Sequence, residues 1–185
     1  MFGDPVKNTY GWDTDYMKNQ CYSIGDGLHG TPEYDDEGEY FFINGNNLDD
    51  KRIVIKNDTK RVSKATFDKH YIKLGDNTIL LSINGTLGKT GFYNNEPVIL
   101  GKSACYCNLK SNLNKNFVIE LFNTDFWKQY MIDNSSGTTI VNFGLKAMRE
   151  YKVILPPIEL QNKFADFVQQ IDKSKYFGGV CYGIC

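Results

Sequence analysis

The apolar residues of this chain change their spacing near residue 115, and that change limits the fold more than any single motif does. Before it, short apolar runs at 52–55, 78–83, 97–100 and 104–107 are separated by turn signals such as "KNDTK", "LGDN" and "NNEP". Runs of this length between turn residues read as strands, with "KNDTK" as the turn of a hairpin. After it, Phe117, Leu121 and Phe122, then Phe126, Tyr130 and Met131, recur at helical intervals, and Thr124 stands where it can cap the second helix of a pair. Residues 151–155 alternate as a closing strand, and Pro156-Pro157 ends it and opens a helix. The expected architecture is mixed α/β (α+β): one β-rich domain over residues 1–154 with a helix pair, followed by the start of a helix over 155–185.

Along that last helix Leu160, Phe164, Phe167 and Ile171 recur at intervals of four, three and four, a heptad seam that calls for a partner helix. Its next positions are Ser174 and Gly178, and the chain then enters "YFGGVCYGIC". The pattern predicts that the helix stops almost as soon as it starts.

Two stretches come close to known chemistry and miss. Gly88-Lys89-Thr90 has the tail of a phosphate-binding G-x-x-x-x-G-K-[ST] loop, but Ile83 stands where its first glycine belongs. The residues after it, "GFYNNEP", are poor material for the helix whose amides would face the phosphates. "LPPI", at 155–158, has the proline pair of an amino-methyltransferase motif without the acceptor before it or the aromatic ring after it. Neither nucleotide hydrolysis nor methyl transfer is expected. The five cysteines do not suggest a secreted disulfide framework. Cys105 and Cys107 fall on one strand face, and His29 and His70 have no partner at a zinc spacing, so no metal is expected. Without a signal peptide or a long apolar run, a cytoplasmic protein is expected.

Net charge is only −1, but it is unevenly spread. Residues 31–50 hold seven acidic residues and no basic one, whereas 51–73 hold eight lysines and arginines against Asp58 and Asp68. Such a block is either a phosphate-binding patch or a solvated hairpin.

Four segments in order, "MFGDP" leading to "GWD", "IGDGLHGTPEY" followed by "YFFINGNNL", "LGDNTILLSINGTLGKTG", and "IDNSSGTTIVNFGLKAMREYKVILPPIELQNKFADFVQQIDKSK", resemble the specificity subunits of type I restriction–modification systems. The resemblance covers nearly the whole chain, up to about Lys175. It implies a single target-recognition domain with the base of one conserved spacer helix, reading one half of a split DNA site. It further implies no catalysis and no cofactor in this chain, S-adenosylmethionine, ATP and Mg belonging to partner subunits. The implied partners are double-stranded DNA, a type I methyltransferase (modification) subunit and, indirectly, the restriction subunit; a second copy of the chain is a further candidate. The tail departs from the family, which leaves an alternative: a truncated half-subunit or exchange cassette acting mainly by self-association.

Candidate DNA-binding residues follow from charge and motif together. Arg52, Lys56, Lys60, Arg61 and Lys64 lie in the basic block, and Lys89 and Asn84 in the glycine loop, which either braces the core or approaches DNA. His29, Thr31 and Tyr34 belong to "DGLHGTPEY", read as structural support or base contact, and Ser136 and Thr138 to a shared polar loop. Leu160, Phe164, Phe167 and Ile171 are the candidates for helix packing.

Overall fold

A computed structural model of the chain describes residues 2–3, 7–137 and 141–180, the last six as backbone only. The chain opens with β1 (Thr14–Tyr16), α1 (Met17–Gln20), β2 (Cys21–Asp26) and β3 (Tyr40–Ile43). After a 3-10 turn at Gly45–Asn47 come β4 (Leu48–Asp49), β5 (Arg52–Ile53), β6 (Arg61–Val62) and α2 (Lys64–His70). Then follow β7 (Thr78–Ser82), β8 (Thr90–Phe92), β9 (Val98–Leu100), β10 (Ala104–Leu109), α3 (Lys115–Phe122) and α4 (Asp125–Asp133). The last elements are β11 (Ser135–Ser136), β12 (Asn142–Phe143), α5 (Leu145–Glu150), β13 (Lys152–Ile154) and α6 (Ile158–Val180).

The centre is an antiparallel sheet in the order β2-β10-β7-β8. Every residue of β7 is buried, and successive side chains of a strand point to opposite faces. Ile79 and Leu81 therefore join the larger core, beside the helix pair, while Leu80 joins a smaller one with Ile43, Leu48 and Leu100. A second sheet, β6-β3-β9, lies over that smaller core, with β3 and β9 parallel. The helix pair forms as its spacing requires. Asn114 caps α3 by accepting from the Asn116 and Phe117 amides, and Thr124 caps α4 by accepting from the Trp127 amide.

The turn in "KNDTK" exists, with the Thr59 amide donating to the Lys56 carbonyl at 3.0 Å, but it does not close a hairpin. β5 pairs back onto β4, while β6 pairs with β3. The reason is a two-residue turn at Asp50-Lys51, whose φ angles of 46° and 62° match the twist of a tight antiparallel pair. The Asn47 amide then holds the far arms by donating to the Val54 carbonyl and the Thr59 hydroxyl.

Lys51, at the tip of that turn, ties three elements together. Its ammonium lies 2.7 Å from Glu120 of α3 and 3.0 Å from Asp172 of α6. Burial works to lower its pKa, but the bonds and charges of both carboxylates outweigh that and hold it above the ordinary lysine value. A raised folded-state pKa means that the stabilisation is complete below about 10.5 and fades only as pH rises through the folded value. Lys51→Ala is expected to cost about 1–3 kcal/mol at neutral pH, because Glu120 keeps a buried oxygen without its counter-charge. Urea unfolding of the two proteins measures it, and equal midpoints would refute the tie.

The seam of α6 divides. Leu160 and Phe164 pack on the domain's own core, Phe164 against Phe2 and Phe117 at 5.2 and 6.3 Å, so these two need no partner helix. Phe167 and Ile171 remain 53% and 36% exposed. The reason is that Gln161, wholly buried, anchors the first turns. Its amide donates to the Asn112 and Pro156 carbonyls and its oxygen accepts from the Asn114 amide. The helix also runs to Val180 instead of stopping early. Once the first turns are packed each further residue adds a bond, against about 1 kcal/mol for each glycine.

Candidate nucleic-acid interface

The loop between β7 and β8 is built around one buried hydroxyl. Ser82 accepts from the Lys89 amide at 2.8 Å and donates to the Thr86 carbonyl at 2.7 Å. The Gly88 amide returns to the Ser82 carbonyl, and the Gly85 amide reaches Val141. Positive φ angles of 73° at Gly85 and 82° at Gly88 make this curl possible. The Gly85, Gly88 and Lys89 amides are already bonded within the protein, and a strand follows instead of a helix. The loop is thus a wall, with Asn84, Gly85 and Thr86 at its edge.

The opposite wall is the 3-10 turn after β3. Gly45 lets that turn close on the sheet, since a Cβ there would stand 2.7 Å from the Ser82 Cβ. Asn44 caps the turn and accepts from the Ser103 hydroxyl at 3.0 Å. Between the walls lies a polar cleft of about 430 Å³, whose lining includes Asn44, Asn46, Lys56, Asn84 and Lys89. The Lys56 ammonium donates to the Asn46 carbonyl at 2.7 Å, and that of Lys89 sits 3.1 Å from Asp49. A smaller cleft of about 110 Å³ also has Asn46 in its lining, with Tyr34, Asp58 and Lys60. The Lys60 ammonium lies 5.5 Å from the centre of the Tyr34 ring.

Of the residues singled out from sequence, Lys56, Lys89 and Asn84 meet at the first cleft, and Lys60 and Tyr34 at the second. The others line neither. Arg52 pairs with Asp50 on the β4–β5 turn, away from the hairpin expected of it, and Lys64 pairs with Asp68 on α2. Arg61 donates to the Gly38 carbonyl and lies over the Phe41 ring. His29 is exposed and bonded to Asp26 at 2.8 Å, and Thr31 is exposed beyond it. Ser136 pairs with Asn142 between β11 and β12, and Thr138 lies outside the described residues.

Asn44, Asn46, Thr86 and Ser103 were missed. The signal was present in two Asn-Gly pairs, Asn44-Gly45 and Asn84-Gly85, which read as turns but gave no sign of facing one cleft. "LPPI" is the joint between β13 and α6, where the Leu155 amide donates to Asp13 and the Pro156 carbonyl holds Gln161. Cys21, Cys105 and Cys107 are buried free thiols. Bonds from Cys105 and Cys21, then burial, push the Cys107 thiol well up, which keeps it neutral. Among the described residues no His, Cys, Asp and Glu side chains gather as a metal site, and no helix is long and apolar enough to cross a membrane.

The fold is shared with solved structures. The type I restriction–modification S subunit from M. genitalium superposes with a TM-score of 0.61 at 20% identity, over 88% of this chain and 39% of that one. A chain from a structure described as the basis of complex assembly and conformational transition of the type I R-M system gives 0.62 at 17%, over 89% and 39%. The HsdS subunit from Thermoanaerobacter tengcongensis gives 0.58 at 14%, over 89% and 38%. The present chain thus spans about two-fifths of the length of each. Among curated proteins none matches significantly in sequence. The sequence model of the "Type I restriction modification DNA specificity domain" matches residues 28–176, well over half of the chain. This chain belongs to the family of type I restriction–modification DNA specificity domains.

Proposed function

We propose that the chain is a DNA-recognition module that reads one half of a bipartite site and directs separate modification and restriction subunits to it. The observation that carries this reading is the polar cleft with Lys56 and Lys89 at its walls. Ammonium groups that flank a row of amides suit a duplex, whose phosphates fix position and whose base edges give specificity. Catalysis then belongs to other subunits, and with it S-adenosylmethionine, ATP and Mg. Exposed Phe167 and Ile171 favour a second reading, self-association with little DNA binding by one copy.

The test is selection of duplexes from a random pool by the purified chain, alone and with a type I modification subunit. Enrichment of a short motif supports recognition, and two such motifs at fixed spacing add pairing of two copies. A folded chain that enriches nothing in either mixture sinks the reading. Lys56→Ala and Lys89→Ala should each weaken binding alike on all sequences and lower the slope of log affinity against log salt by about 1. Fluorescence anisotropy across a salt series measures this, and unchanged slopes would remove both lysines from the interface.

A further inference from the structure

Asn46 stands on the ridge between the two clefts and lines both. Each of the other carboxamides around it makes at least one bond inside the fold. Asn44 caps its own turn and accepts from Ser103. Asn47 donates to Val54 and Thr59 and accepts from the Asn44 amide. Asn84 donates to the Lys102 carbonyl. The Asn46 side chain is exposed and, among the described residues, makes no hydrogen bond, while its backbone carbonyl is held by Lys56. The turn that carries it is fixed by reciprocal capping between Asn44 and Asn47. A rigid backbone thus presents one uncommitted amide, with Lys56 and Lys89 on one side and Lys60 on the other.

Resting on the DNA-recognition reading, we propose that Asn46 is a specificity-determining residue that reads an adenine in the major groove. A carboxamide offers a donor and an acceptor side by side, and adenine presents the complementary acceptor N7 and donor N6 on that edge. Of the cations nearby, Lys56 spends one N–H on the Asn46 carbonyl and Lys89 leans on Asp49. Both suit phosphates at one groove edge, with Lys60 across the ridge suited to the other, and Asn46 is the uncommitted carboxamide between them.

The experiment compares wild type, Asn46→Ala and Asn46→Asp in selection from the random duplex pool, with and without the modification subunit, followed by competition binding. Wild type should prefer adenine at one motif position by roughly 5- to 150-fold, the value of a good bidentate contact. Asn46→Ala should lose that preference and keep the rest of the motif. Asn46→Asp should move it toward cytosine, whose N4 amine a carboxylate accepts. Asn46 is exposed, so all three should melt together. Two outcomes overturn the proposal and are distinct. If both variants keep the full wild-type motif, the base contact is wrong and DNA recognition stands. If wild type enriches no motif, the recognition reading itself falls, and this inference with it.

Discussion

Trp127→Ala is expected to destabilise the domain by about 3–5 kcal/mol, which for a chain of this size is a fall in melting temperature of roughly 6–20 °C. The indole is fully buried and stacks on Phe122 with ring centres 4.0 Å apart. Its edge contacts reach Tyr151 at 4.6 Å and Phe143 at 5.7 Å. Truncation removes the common neighbour of α3, β12 and the residue that leads into β13, and leaves a cavity that these rings cannot close without leaving their own packing. Trp127→Phe separates packing from polarity. The indole N–H is buried with no acceptor among the described residues, so phenylalanine loses volume but also removes an unmet donor worth about 1–3 kcal/mol. Its cost should stay below about 2 kcal/mol, and urea unfolding of both variants measures it. A Phe variant as unstable as the Ala variant would show that the ring stack depends on the full indole.

Gly27→Ala should cost about 3 kcal/mol, the upper end for overpacking, because the obstacle is backbone. A Cβ at Gly27 would stand 1.9 Å from the Leu100 carbonyl oxygen and 2.1 Å from its carbon. Two bonds depend on that approach, Leu28 to the Leu100 carbonyl at 2.7 Å and Lys102 to the Leu28 carbonyl at 3.1 Å. The added methyl must push β9 and the segment from β2 apart, which loosens His29, Thr31 and Tyr34 together. Gly30→Ala, three residues on, is the control. Nothing lies within 4 Å of a Cβ there, and the change should stay within about 0.5 kcal/mol. Thermal melts of the pair decide the point. Equal behaviour would mean that the glycine at 27 is not required by packing.

Local features were readable from residues because their causes are local. Thr124 caps α4 through a bond from the amide three residues on, and Pro156-Pro157 opens α6 by its own fixed φ. The strands at 78–82 and 98–100 and the helix pair follow from spacing within single segments. The order of four motifs, which depends on no contact at all, was enough to indicate the family that the domain match shows.

Tertiary structure decided the rest. The basic block at 51–73 is even in sequence, yet the Asp50-Lys51 turn sends Arg52 to one partner strand and Arg61 to another. Charge in a sequence carries no direction, and strand pairing sets it. The seam of α6 has four similar apolar residues, and only the burial of Gln161 determines that Leu160 and Phe164 face the domain while Phe167 and Ile171 do not. The cleft joins turns forty residues apart, and the Asn46 side chain, unlike those of Asn44, Asn47 and Asn84, makes no bond inside the fold among the described residues. Sequence by itself determined the central strands, the helix pair and the family, because capping, periodicity and motif order act within a segment. Which side chains remain free to meet another molecule was settled by the packing of distant segments, because only that packing consumes the others.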